Sequence, residues 1–447
     1  MKIPVGTYQK NLYAEETLYL DSFNHTFVDG VSGTGKSTFL ENVAIENIRA
    51  GRPLIFFDCH GTSIRKILKR IPKRLSGKVL YFNPLAKKVP GLNFFSFVSA
   101  DERYKAVNAI VSIMKSLAED AWGHETQHVI QTGGTAVMDG EKDPTIIHVY
   151  LFIIREMYRR ALIDASDDQL LKDFQSQFDS KEGLRPSERM SKFSPALNKA
   201  HPFVQPIIRT VFGQTDSLNI IDLMDKNYII LVDLDKGKIG DNAASLIGSA
   251  IMSYIQLKAF ERKADKRTEC TIIVDEFQNF CHGVNWTTFF AELRKYDIRV
   301  WLATQSITQV PDKWLDPILT NSANVISFAA GDKDAERMVK VFGGQTTEKH
   351  LLFMDDRVFC AKLKDDIHRE FYEDVKVFPP AEPRGDESHW RDVLKTSRMR
   401  WGKNRKDIDK GILKLLNQRD YRSAMFAGSC EIGIGGINRG GTTSGTP

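Results

Sequence analysis

Gly30-Val31-Ser32-Gly33-Thr34-Gly35-Lys36-Ser37-Thr38 fits the pattern G-x-x-x-x-G-K-[ST]. A short run of strand-forming residues, TFV at 26–28, comes directly before it, and a helical pattern over residues 39–50, closed by Gly51, comes after. This context predicts a phosphate-binding loop, because the glycines let the backbone curl until successive N–H groups and a helix N-terminus point at one anion. Lys36 would bring its ammonium to the β- and γ-phosphates of ATP, and Ser37 would offer its hydroxyl to Mg²⁺. A glycine-rich loop that met the pattern by accident would have no reason to sit between a strand and a helix.

Further along, apolar runs rich in β-branched residues recur at 54–57, 79–82, 228–232, 271–274, 298–303, 325–328 and 358–362. Runs that are apolar on both faces suit the buried strands of a mostly parallel sheet covered by helices. The expected fold is therefore α/β, a P-loop NTPase core. Two of the runs end in chemistry. The segment TIIVDE, 271–276, closes on two carboxylates: Asp275 would hold Mg²⁺ through water, and Glu276 would orient the attacking water. The segment WLATQS, 301–306, ends in Thr304 and Gln305, and in open parallel sheets ligands bind at the carboxyl ends of strands, which would set Gln305 near Asp275 and the γ-phosphate. Strands ending in polar residues are common, so each of these segments gains its meaning from the loop.

Between residues 101 and 213 the pattern turns helical. Val107, Ile110, Val111, Met114 and Leu117 make one stripe, with Asp101 placed as its cap, and Thr145 after Pro144 opens a helix expected to run through Tyr158. Past residue 378, Pro379, Pro380 and Pro383 break the chain and a basic stretch follows; residues 428–447, rich in Gly, Ser and Thr, are expected to be disordered. The expected division is thus 1–100 and 214–378 for the two parts of the core, 101–213 for an all-helical insertion and 379–447 for the tail.

Taken in order, these features resemble the HerA/FtsK superfamily of DNA-pumping ATPases, and within it the conjugative coupling ATPases of type IV secretion. The residues that carry the resemblance are His25 ahead of the loop, Asp58-Cys59-His60-Gly61, Asn198-Lys199, Phe212-Gly213-Gln214, Asp275-Glu276, Arg294-Lys295-Tyr296 and Ala303-Thr304-Gln305, with the helical insertion where the family has its all-α domain. The likeness spans roughly residues 6–378. It implies a RecA-like core that assembles into a ring, usually a hexamer, with DNA in the channel and ATP between subunits. It further implies that Arg294 is offered to the neighbouring subunit's ATP, where a permanently charged guanidinium would stabilise the transferring phosphoryl group. A solvated helix face holding Arg294 and Lys295 is the other reading. Two positions depart from the family: Cys59 stands where Pro is frequent, and Asp297 where Gly is usual. Asp58 would either touch the metal's shell or cap the next helix.

Charge and cysteine usage narrow the remaining choices. Sixty-two basic against 57 acidic residues give +5, which permits contact with DNA without demanding it. Five scattered cysteines, none in a C-x-x-C pair, read as reduced thiols of a cytoplasmic protein without a zinc site. The longest apolar stretch, 146–154, is too short to cross a bilayer, so a soluble translocase is expected. The basic run from Arg65 to Lys78 reads either as a phosphate-binding face or as a solvated helix. The C-terminal cluster of Arg398, Arg400, Lys403, Arg405 and Lys406 with Trp390 and Trp401 suits DNA or a partner protein. A viral genome-packaging ATPase, which has less need of so large an insertion, and a non-translocating P-loop scaffold, which has less need of Glu276 and Gln305, stay open beside the translocase.

Overall fold

The computed structural model describes residues 2–11, 13–21, 24–96, 103–118, 122–179, 186–265, 267–364, 369–383 and 387–418. Its strands are β1 (Lys2–Asn11), β2 (Ala14–Asp21), β3 (Thr26–Asp29), β4 (Leu54–Asp58), β5 (Val79–Phe82), β6 (Lys88–Pro90), β7 (Ile229–Asp233), β8 (Cys270–Val274), β9 (Ile298–Thr304), β10 (Asn324–Ser327), β11 (Val358–Lys364), β12 (Arg369–Val377) and β13 (Gly402–Asn404). Eleven of them form one sheet in the order β2-β1-β12-β11-β10-β3-β9-β8-β4-β7-β5, and β13 pairs with β6. From β10 to β5 every neighbouring pair is parallel. The strands from β11 to β2 extend the sheet antiparallel.

Side-chain alternation explains why the parallel runs are apolar throughout. On one face lie Phe27, Ile55, Phe57, Leu80, Phe82, Ile230, Val232, Ile272, Val274, Val300 and Leu302, packed into the larger core with the helices that follow β6. On the other lie Val28, Leu54, Phe56, Val79, Ile229, Leu231, Ile273, Trp301 and Ala303, covered by the helices Lys36–Arg49 and Thr62–Leu68. A strand with helices on both sides has no solvent-facing position to fill with polar residues. The fold class is accordingly α/β with a mostly parallel sheet, and every run read as a strand lies in one of these.

The strands β1, β2 and β12 were not legible as runs. Pro4 and Gly6 interrupt β1, and β12, REFYEDVKV, exposes charged residues. They lie in the antiparallel part of the sheet, with β2 alone at its edge, where one face meets water, and this removes the continuous apolar signal.

The seven helices Arg103–Ala118, His124–Gly140, Ile146–Ile154, Glu156–Asp164, Gln169–Asp179, Pro186–Ala200 and Pro206–Phe212 lie between β6 and β7. The Val107 stripe is buried as its spacing predicts, apart from the half-buried Leu117; Asp101 lies outside the described residues. The helix opened by Thr145 does not run through to Tyr158. Thr145 caps it, in a capping box with His148, but it stops at Ile154 and a second helix starts at Glu156. Arg155 sits between them at φ −118° and ψ 103°, its guanidinium donating to the carbonyls of Leu416 and Gln418. The break therefore coincides with a tertiary hydrogen bond that the local pattern does not show.

Beyond the prolines the chain is folded onto the core as far as residue 418: the helix Glu387–Trp401, β13 and the helix Arg405–Asn417. Ser397 Oγ accepts from Tyr81 N at 2.8 Å, and His389 Nε2 lies 2.9 Å from Ile71 O. The aromatic and basic residues read as a nucleic-acid or partner cluster make contacts within the chain: Trp401 packs edge-on against Tyr228, Arg400 lies over both rings, and Lys403 pairs with Asp216. Residues 428–447 lie outside the described residues.

Candidate functional site

The phosphate loop leaves β3 at Asp29 and enters the helix Lys36–Arg49 through Gly35. Only glycine suits two of its positions. A Cβ on Gly30 would come within 2.5 Å of Phe328 Cβ, and Gly35, at φ 103°, would bring one within 3.1 Å of Arg357. The helix has no side-chain cap and no acidic residue in its first turn, so its leading N–H groups and the positive end of its dipole face the loop. Neighbouring backbone holds the curl. Val31 N donates to Ala329 O at 2.9 Å, and Arg357 N donates to Thr34 O at 2.8 Å.

Sheet order brings the other candidates to this loop. The strand β9 lies between β3 and β8, and all three point the same way, so Thr304-Gln305, Asp275-Glu276 and the loop share one edge. Lys36 Nζ donates to Gly30 O at 3.2 Å and pairs with Glu276 Oε1 at 3.3 Å, with both side chains almost wholly buried. Ser37 Oγ donates to Asp275 Oδ2 at 3.3 Å. The other carboxylate oxygen, Asp275 Oδ1, is buried without a hydrogen-bond partner among the described residues. Burial, helped by the Glu276 and Asp58 carboxylates, pushes the Asp275 carboxyl up to about 7 against the pull of Lys36 and the Ser37 hydrogen bond. An orphaned anionic oxygen beside a serine hydroxyl fits a divalent cation. Glu276 stands at φ 56°, an unusual conformation for a residue with a Cβ, and is braced there: Gln278 Nε2 donates to its Oε2 at 2.5 Å and Asn279 Nδ2 to its carbonyl at 2.8 Å.

Asp58 resolves as a cap. Its Oδ1 accepts from His60 N and Gly61 N at 2.8 Å each, and its Oδ2 from Ile64 N at 3.0 Å, which ties the start of the helix Thr62–Leu68. His25 serves structure too: its Nδ1 accepts from Val300 N at 3.0 Å and its carbonyl accepts from Ala323 and Asn324, pinning β3 to β9 and β10. Arg294 is not brought to the loop. It lies in the short 3-10 turn Arg294–Tyr296 at the amino end of β9, exposed, about 20 Å along the strand from Thr304. Asp297 sits at φ 55°, a left-handed conformation that favours glycine.

Several further residues surround the loop without belonging to any of the motifs above. Asp29 ends β3 one residue before the loop, fully buried, with both carboxylate oxygens lacking a hydrogen-bond partner among the described residues. Burial and the Asp334 carboxylate push it up to about 8, with Lys36 and the Gly30 N–H offsetting part of this. Its signal was an acidic residue at the strand's end. Gln278 and Asn279 had the signal of following Asp275-Glu276, whereas Asp334 and Arg357 reach the loop only through tertiary structure.

The profile of the family described as type IV secretory system conjugative DNA transfer matches residues 2–353. The chain belongs to that family. Solved structures similar to this member of the conjugative DNA transfer family include the bacterial conjugative coupling protein TrwBdeltaN70 in its unbound form, at 13% identity and TM-score 0.61 over 82% of this chain and 87% of that one. Others are TrwB in complex with ADP and Mg²⁺, at 14% and 0.59 over 81% and 88%, and VirB4 of Thermoanaerobacter pseudethanolicus, at 12% and 0.53 over 87% and 97%. At such identities the likeness is one of fold. No curated protein matches the chain. Among the described residues of this conjugative-transfer family member, no helix is long and apolar enough to cross a membrane.

Proposed function

We propose that the chain is a ring-forming motor ATPase that couples ATP hydrolysis to the movement of DNA, as its conjugative family suggests. The observation that carries this reading is the convergence, on one sheet edge, of Lys36 with Glu276 and of Ser37 with Asp275. A binder of phosphates alone has use for the loop but not for a braced carboxylate beside it.

In this reading residues 30–38 hold the phosphates of ATP, with Lys36 as the charge on the β- and γ-oxygens. Ser37 and Asp275 would hold Mg²⁺, which would neutralise charge on those oxygens; Asp275 Oδ1 is the atom left free for it. Glu276 is the base that orients the attacking water, and Gln305, leaving the strand between loop and carboxylates, senses the γ-phosphate. Arg294 lies too far from its own loop to act there, so its place is against a neighbour's ATP in a ring, the hexamer of the family resemblance. DNA would be gripped through phosphates, because a motor must tolerate every sequence.

Measuring ATP turnover with and without DNA tests the proposal. Turnover should rise with DNA at low salt, and Lys36→Ala should reduce it by at least about a hundredfold. Hydrolysis that no form of DNA stimulates would exclude the translocase, and undiminished turnover in Lys36→Ala would exclude the site.

A further inference from the structure

We propose that His350, Cys360, Glu373 and Asp374 form a zinc site that clamps the helix Glu348–Leu352 to the β11–β12 hairpin beside the phosphate loop. One ligand atom from each of His350, Cys360 and Glu373 lies within 4.8 Å of the others. His350 Nε2 is 3.5 Å from Glu373 Oε1 and 3.1 Å from Asp374 Oδ1, yet it is shielded from solvent and makes no hydrogen bond of good geometry among the described residues. Bond lengths of about 2.0–2.3 Å from zinc to N, O and S place tetrahedral donors roughly 3.3–3.8 Å apart, close to the two His350–carboxylate separations.

The backbone makes this convergence possible. Consecutive residues of a strand point to opposite faces, so Glu373 and Asp374 should not both reach one imidazole. A register shift between Phe359 and Ala361 sets the two acids against the single residue Cys360, with Asp374 at φ 52°. A bulge of this kind re-aims side chains, and a non-glycine residue held at positive φ is found where a site requires it. Cys360 is fully buried; burial pushes its thiol up to about 12, while the Asp374 N–H and the Thr346 hydroxyl pull it down. The single Thr346 hydroxyl proton is shared between that thiol and Glu373 Oε1, 2.9 Å away, which orients the carboxylate. The donor set of one nitrogen, one sulfur and two oxygens is borderline-soft, which selects zinc over magnesium or calcium. Binding would exchange the thiol proton for the metal.

The clamp borders the nucleotide loop on both flanks. Leu351 O accepts from Ala330 N at 3.0 Å, next to Ala329, whose carbonyl holds Val31; on the other side Arg357, leading into β11, holds Thr34 O. The site therefore secures the two segments that support the loop's curl.

The test is titration of the chelator-treated full chain with Zn²⁺ alone by calorimetry, and with Co²⁺ by absorption. One Zn²⁺ per chain is expected, with a thiolate charge-transfer band for Co²⁺. Cys360→Ser should abolish the band, and His350→Ala, at a partly exposed position that leaves the core intact, should weaken Zn²⁺ binding by at least about tenfold. An imidazolium held between two carboxylates needs no metal. If Zn²⁺ fails to bind, or binds His350→Ala and Cys360→Ser as tightly as the parent, the proposal is overturned.

Discussion

Asp29 is a residue whose chemistry departs far from its type. A carboxyl held up to about 8 stays protonated in the folded chain through neutral pH, whereas in the unfolded chain it ionises near its ordinary value of 3.8. The folded state thus binds the extra proton between these values, and stability from this group is full below about 4 and lost as pH rises through about 8. Asp29→Asn keeps the shape and removes the titration. The variant should gain thermal stability over the parent as pH is raised from 5 to 8, with the difference closing at the acid end, which parallel melts across that range would show. The groups that set the shift are Asp334 and Lys36, so removing the Asp334 carboxylate should lower the midpoint of that pH effect.

Elements here are held by caps and turns that single residues decide. Asp58 satisfies three backbone N–H groups at the start of the helix Thr62–Leu68, so Asp58→Ala should cost about 1–3 kcal/mol in denaturant unfolding. Its Mg²⁺-dependent nucleotide affinity should stay close to the parent's; a shift of tenfold or more would return Asp58 to the metal's surroundings. Asp297 connects the 3-10 turn to β9 in a left-handed conformation. Asp297→Gly should be neutral to stabilising, despite losing the 3.3 Å pair with Arg267, while Asp297→Val should cost about 1–2 kcal/mol. The basic stretch from Arg65 to Lys78 belongs to this scale as well. Lys66 pairs with Glu41, Arg70 donates to Ala381 O, Arg74 to Arg49 O and Lys78 to Lys226 O, which favours its reading as a solvated face over a phosphate track.

For the whole molecule the decisive fact is that Arg294 and the phosphate loop lie at opposite ends of the neighbouring parallel strands β9 and β3. A protomer on its own should bind ATP equally well with or without that guanidinium. Arg294→Ala should leave nucleotide affinity within about threefold while turnover of the assembled protein drops by about a thousandfold or more, if the residue serves a neighbour. Equal turnover in the two proteins would make Arg294 part of a solvated surface. The C-terminal helices, seated on the core through Ser397, His389 and Arg155, also belong to this scale, because they stitch the edge at β5 to the helices that follow β6.

Sequence alone determined the phosphate loop, the parallel strands and the pairing of Asp275 with Glu276, because each rests on neighbours in the chain: glycines beside a lysine, apolar residues in a row, carboxylates at a strand's end. The antiparallel strands β1, β2 and β12, the break at Arg155 and the fold of residues 387–417 were decided by packing between distant segments, where a tertiary hydrogen bond or a sheet face open to water outweighs local preference. So was the meeting of His350, Cys360, Glu373 and Asp374. Cysteine spacing argued against zinc, since spacing registers only ligands from one segment, whereas a bulge and a facing helix can gather them from three.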